Sequence, residues 1–343
     1  MTEELKEKLR HILDVVINQY IKTAKPVGSE EIVKDYNLKM SPATVRNLFS
    51  QLEALGYLTH PYTSAGRIPT DRGYHFYVDM ILRNQKNLGI LSWEEMERIE
   101  REYMKRKKSV DEVIRFTSKL LSAISHYAGF ISSPRISRDN IQRIEVVSLP
   151  RGGIALIIIS KEGLIRYKTL KLAFPVPVGD LDLLRDVLNS ELEEHDSYTT
   201  KRTLFAKMKG DYRDNNFLKL YKKICIKMIE DIEDDIYIEG LFKVLNKINN
   251  YDHIQMTSLL QIMESKNSIS DIIRRKIDEE GVKVLIGEND LYPEMKECSI
   301  IAANYRTRDN ACGAVGIIGP KRMEYTKIIP LVRFISIAVN KFL

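Results

Sequence analysis

The residues with the clearest chemical purpose lie between Met40 and Tyr62. Read at 100° per residue from Ser41-Pro42 to Gly56, this segment turns Val45, Leu48, Leu52 and Leu55 to one side. Ala43, Thr44, Arg46, Asn47, Ser50 and Gln51 fall on the other side or flank it. An ordinary surface helix carries a mixture of Lys and Glu, whereas this face is small and hydrogen-bonding, as a surface that closely approaches a second molecule must be. Arg46 can donate two hydrogen bonds to guanine, Asn47 and Gln51 can pair with adenine, and Ser41, Thr44 and Ser50 can reach phosphates or base edges. Glu53 is the one acid between Met40 and Tyr62, which suits a surface that meets phosphate. A polar helix that docks another protein would share part of this pattern.

The flanking sequence supplies the elements that hold such a helix in place. Leu5, Leu9, Ile12, Leu13, Val16, Ile17 and Tyr20 recur every three or four residues and predict an amphipathic first helix. Ser29 is expected to cap a second, short helix through Tyr36, with Glu30 and Glu31 in its first turn, where the helix dipole favours acids. Ser41 as N-cap and Pro42 at the first helical position open the third, which ends at Gly56. Tyr57 to His60 and Arg67 to Thr70 then read as a two-stranded ribbon around a Pro-Tyr-Thr-Ser-Ala-Gly turn. Three helices and a ribbon make a winged helix-turn-helix. Its wing would bring Tyr62, Thr63, Ser64 and Arg67 to the DNA backbone or minor groove, with Arg67 the expected phosphate contact.

A fourth helix from Thr70 leads to Asn84–Leu91, the most linker-like stretch and the expected domain boundary. Ser92-Trp93-Glu94-Glu95 and Ser109-Val110-Asp111-Glu112 both fit a capping box, so helices are predicted over 92–107 and 109–127. Strands follow at Ile141–Leu149, Ile154–Ser160 and Leu164–Leu172, separated by hairpin turns. Asp180 to Leu245 reads as helical, and strands resume at Val282–Ile286, Ser299–Asn304 and Ala314–Ile318 before a last helix at 327–343. The simplest organisation is a multidomain α+β chain. Residues 1–86 form the winged helix-turn-helix, 92–175 and 255–343 form one discontinuous α/β domain with an antiparallel sheet, and a mainly helical block, 176–254, is inserted in it.

Catalysis finds little support. There is no P-loop, GxSxG, HExxH or GxGxxG signature, and the 6 histidines are scattered. The acidic stretches 191–196 and 230–235 lack the glycine and alternation of a calcium loop. Neither an enzyme nor a metal site is expected. Cys225, Cys298 and Cys312 are too few and too widely spaced for a disulfide framework and suit a reducing compartment. The N-terminus lacks the apolar core of a signal peptide and the longest apolar run is far short of a bilayer span, so a cytoplasmic protein is expected. A net charge of +6 over 343 residues is too mild to assign a nucleic-acid partner by itself.

The run Ser41-Pro42-Ala43-Thr44-Val45-Arg46-Asn47, Leu52 to Leu58 and Pro61 to Tyr74 closely resembles the family of bacterial heat-inducible transcription repressors, HrcA. Gly316-Ile317-Ile318-Gly319-Pro320-Lys321-Arg322-Met323-Glu324-Tyr325 is similar to that family's C-terminal signature, so the resemblance spans nearly the whole chain. It implies a winged-helix domain, a GAF-like domain and an inserted dimerisation domain. It also implies a homodimer on double-stranded DNA at the CIRCE inverted repeat upstream of chaperone operons, kept active by the GroEL chaperonin and released on heating. Leu181, Leu184, Val187 and Leu188 form one stripe, the candidates for the dimer interface, with an intramolecular core stripe as the equal alternative. Leu48-Phe49 and Tyr62 depart from the family pattern; Leu48, expected to face inward, should matter little to readout, whereas Tyr62 could alter a contact at the wing tip. No cofactor is demanded by the sequence. A metabolite-responsive regulator and a protein-docking scaffold are the competing readings.

Overall fold

A computed structural model of the chain describes residues 7–62, 65–83, 91–106, 110–134, 141–150, 153–161, 163, 165–171, 177–193, 235–247, 253–277, 281–287, 292–307 and 311–343. The N-terminal unit consists of α1 (Glu7–Thr23), α2 (Ser29–Asp35), α3 (Pro42–Ala54), the ribbon β1 (Leu58–Thr59) with β2 (Ile68–Pro69), and α4 (Asp71–Arg83). Leu9, Ile12, Leu13, Val16 and Ile17 of α1 are buried, as their spacing predicts, against Ile32 of α2 and Val45, Phe49 and Leu52 of α3. Gly28, not Ser29, is the N-cap of α2, and Ser29 is buried in its first turn. The ribbon gains a third partner that the sequence did not announce: Val27 and Arg67 exchange both backbone hydrogen bonds at 2.9 Å. Gly66 makes this approach possible, because a Cβ there would lie 2.5 Å from the Val27 carbonyl oxygen.

Beyond the N-terminal unit run α5 (Trp93–Arg106) and α6 (Val110–Ser125). The expected capping box opens α5: the Glu95 amide donates to Ser92 Oγ at 3.2 Å and the Ser92 amide donates to Glu95 Oε2 at 2.8 Å. The strands are β3 (Ala128–Ser132), β4 (Ile141–Leu149), β5 (Gly153–Ser160), β6 (Ile165–Lys171), β7 (Ile236–Glu239), β8 (Val282–Ile286), β9 (Cys298–Arg306) and β10 (Cys312–Pro320). The helices among them are α7 (Val178–Glu193), α8 (Leu241–Lys247), α9 (His253–Glu264), α10 (Lys266–Lys276) and the C-terminal α11 (Tyr325–Phe342).

These strands do not make one sheet. β7-β3-β10-β9-β8 form a five-stranded antiparallel sheet, and β4-β5-β6 form a separate three-stranded one. The chain therefore leaves the core sheet after β3 and returns to it at β7, so the three hairpin strands belong with α7 in the inserted part rather than with the core. The block expected to be helical contains a strand, because Ile236-Tyr237-Ile238 is an apolar run that pairs with Ser132, Ile131 and Phe130 at the sheet's open edge. The central strands β3 and β10 are buried along almost their whole length. α6 and α11 pack on the core sheet, as does α9, so helices cover it as they do a sheet buried on both faces. Residues 194–234 of the expected helical block lie outside the described residues.

The N-terminal unit is seated on this core. Tyr74 and Tyr77 of α4 are buried, with ring centroids 6.1 and 6.4 Å from that of Tyr325 at the start of α11. One continuous hydrophobic cluster runs from Leu9 to Phe342 through that seam. The linker-like residues 84–90 lie outside the described residues.

Candidate nucleic-acid interface

The polar face of α3 is open. Ser41, Ala43, Thr44, Arg46, Asn47, Ser50 and Gln51 are all exposed, Pro42 is half-buried, and Val45, Phe49 and Leu52 face the core. The expected inward position of Leu48 is corrected here: Phe49 fills the core and Leu48 is only half-buried. Residues 48 and 49 are one 100° step apart, and the bulkier ring wins the interior.

Several of these side chains are already organised. Ser41 Oγ accepts from the Thr44 amide at 3.1 Å and lies 2.9 Å from Thr44 Oγ1, so its first duty is to cap the helix rather than to reach a phosphate. Gln51 donates to Asn47 Oδ1 at 3.1 Å, one helical turn away. Joined in this way, the two amides still present Asn47 Nδ2 as donor and Gln51 Oε1 as acceptor, the complement of an adenine edge. Ser50 donates back to the Arg46 carbonyl at 3.2 Å. Arg46 lies 4.0 Å from Glu30, with both side chains mostly exposed, a contact too weak to hold the guanidinium back from a ligand.

The wing departs from expectation. Arg67 Nη2 lies 2.9 Å from Glu53 Oε2 at the end of α3, and Nη1 donates to the Ala65 carbonyl at 3.3 Å. The same Glu53 carboxylate engages His60 Nδ1 through its other oxygen. Arg67 is thus turned inward, 20% exposed, and braces the wing against the recognition helix instead of reaching for a phosphate. Sequence reasoning noted Glu53 only as an isolated acid and did not place its carboxylate between Arg67 and His60. Tyr62 stands at the wing tip, 63% exposed, while Thr63 and Ser64 lie outside the described residues. At the base of the wing, Thr70 Oγ1 donates to the Gly56 carbonyl at 2.7 Å and accepts from the Gly73 amide at 3.1 Å, joining the end of α3 to the start of α4.

The stripe expected at a dimer interface is used elsewhere. Leu181, Leu184 and Leu188 are 4%, 0% and 4% exposed on α7, which packs along β4. Asn189 fastens that packing, donating to the Ile144 carbonyl at 2.7 Å and accepting from its amide at 2.8 Å. These leucines are core of the inserted part, not free surface; the Val187 side chain lies outside the described residues. Among the described residues no group of three His, Cys, Asp or Glu side chains converges as metal ligands would. Nor is any described helix long and apolar enough to cross a membrane.

Three packed helices, a ribbon braced on the third, and an exposed hydrogen-bonding face on that helix define a winged helix-turn-helix DNA-binding protein. Comparison with known proteins agrees: residues 4–81 match the family described as the winged helix-turn-helix transcription repressor HrcA DNA-binding domain, and residues 111–329 match the HrcA protein C-terminal domain. The heat-inducible transcription repressor HrcA of Pelotomaculum thermopropionicum is 34% identical over 338 residues, covering 97% of this chain and 95% of its own. That of Geobacter sulfurreducens is 33% identical over 347 residues, with 99% and 98% covered. A crystal structure described as a hypothetical protein at 2.2 Å resolution shares the fold, with a TM-score of 0.61 over 99% of this chain and 98% of its own at 20% identity. The chain belongs to the HrcA family of heat-inducible transcription repressors.

Proposed function

We propose that this protein represses chaperone operons in the cytoplasm by binding the CIRCE inverted repeat as a homodimer, that heat releases it, and that the GroEL chaperonin keeps it in its active form. The observation that carries this reading is the exposed face of α3, where Arg46, Asn47 and Gln51 present a guanidinium and a paired amide to the major groove. The core domain is read as GAF-like, and no ligand is assigned to it. An inverted repeat calls for a two-fold dimer, since one winged helix reads only one half-site. With the α7 leucines buried, the surface proposed for the second copy is the outer face of β4-β5-β6. Val147, Ile165 and Tyr167 are 45%, 61% and 77% exposed there. Registered strand pairing brings Tyr167 beside Ile157 and Ile165 beside Ile159 on that same face.

The test is a salt-dependent titration against a CIRCE duplex and a scrambled duplex, with and without chaperonin, alongside sedimentation of the wild type and Tyr167→Glu. Selective binding at dimer stoichiometry, improved by chaperonin, supports the reading. Equal weak binding to both duplexes refutes the operator, and a Tyr167→Glu protein that stays dimeric refutes that surface, as would a wild type in which residues 194–234 shield Tyr167 from modification.

A further inference from the structure

The segment Gly319–Tyr325 has no part in the interface just described, yet it lies where the N-terminal unit meets the core. Lys321 Nζ is 2.6 Å from Asp71 Oδ1, the first residue of α4. Lys321 is 15% exposed and Asp71 49%, so the pair is half-sheltered rather than a loose surface contact. Gly287, just beyond β8, leaves the room: a Cβ there would lie 2.7 Å from Asp71 Oδ2 and 3.0 Å from Lys321 Nζ, and its φ of +62° lies in the left-handed region that favours glycine. Tyr325 seals the seam. Its hydroxyl donates to the Lys321 carbonyl at 2.6 Å and lies 2.9 Å from Ser299 Oγ, and its ring packs against Tyr74 and Tyr77.

The other side of the pair leads directly to the DNA-reading surface. Asp71 follows Thr70, whose hydroxyl is bonded to the carbonyl of Gly56 at the end of α3. The path from Lys321 to the recognition helix is therefore one ion pair and one hydrogen bond long.

We propose that Lys321 and Asp71 form a latch that fixes the orientation of the winged helix on the core, and with it the spacing of the two recognition helices in a dimer. This rests on the DNA-binding reading above. Closed, the latch lets both helices of a dimer engage an inverted repeat together; open, each winged helix binds its half-site alone and the gain from tethering is lost.

The experiment compares full-length wild type, Lys321→Glu, Asp71→Lys and the charge-swapped double variant on an inverted-repeat duplex and on a half-site duplex, with calorimetric unfolding of each protein. Each single reversal should weaken inverted-repeat binding by about tenfold, leave half-site binding within about twofold, and split one unfolding transition into two. The swap should restore both readouts. Equal losses on both duplexes, a swap no better than the singles, or tighter inverted-repeat binding by a single variant would each overturn the latch. A wild type that binds neither duplex would refute the DNA-binding reading instead, and the unfolding profiles would still decide whether the pair joins the two units.

Discussion

Replacing Arg67 with Ala separates two roles for the wing. The guanidinium meets Glu53 at 2.9 Å with the partners 20% and 28% exposed. A charge-assisted hydrogen bond contributes about 1.5–3 kcal/mol when sheltered; partial exposure, together with the His60 contact that Glu53 keeps, lowers this to about 1–2 kcal/mol. If that energy holds the wing in its binding geometry, its loss reduces the competent fraction, and affinity falls by up to about thirtyfold. The loss should be the same factor at every salt concentration, because no phosphate contact has been removed. Were Arg67 on a phosphate, the slope of log K against log salt would fall by about 0.9, and the loss would be about 3.5-fold greater at 50 than at 200 mM salt. Glu53→Ala separates the alternatives by sign. A brace predicts that it weakens binding as Arg67→Ala does, with the double variant little worse than either single; a phosphate contact predicts that deleting the acid tightens binding. Fluorescence anisotropy across that salt range reads both quantities, and tighter binding by Glu53→Ala would refute the brace.

Other substitutions report on neighbouring parts of the argument. Arg46→Ala should cost about 1–3 kcal/mol of operator affinity and relax sequence preference, measured by competition with single-base operator variants. Ser41→Ala removes the cap that the Thr44 amide uses and should lower stability by about 1 kcal/mol in thermal unfolding. Burial pushes the Cys298 thiol up to about 12, so the uncharged form persists throughout neutral and mildly alkaline pH. Mass-spectrometric mapping after iodoacetamide should find Cys298 unlabelled at pH 8 in the native protein and labelled after denaturation.

Local chemistry carried the parts of the fold that were legible in advance. Ser41-Pro42 and Ser92 with Glu95 announce helix starts because a cap is satisfied within one turn of chain. The hairpin strands β4 to β6 were readable for the same reason: the connections between them are short, and β5 is a contiguous apolar run. What sequence could not supply was the partner of each surface. The α7 leucine stripe is equally suited to a second copy or to the chain's own sheet, and only the packing along β4 decides. A strand at Ile236–Glu239 was hidden by its acidic neighbours, since its pairing residues lie more than a hundred positions earlier. Arg67 looked like a free cation because the acid that holds it belongs to a different element, 14 residues upstream.

The route of the chain through the core sheet has a consequence for synthesis. β3 lies between β7 and β10, and the Ala314 amide donates to Ser132 Oγ across 182 residues of sequence. At about 5–20 residues per second, a nascent chain waits roughly 10–40 s between finishing β3 and making the strand that covers it. Through that interval Phe130 and Ile131, wholly buried in the finished protein, have no β10 to lie against. Lys321 and Tyr325 are made later still, so the winged helix is seated only after every strand of the core sheet has been made. Each new molecule thus spends much of its synthesis with the apolar face of its first core strand uncovered.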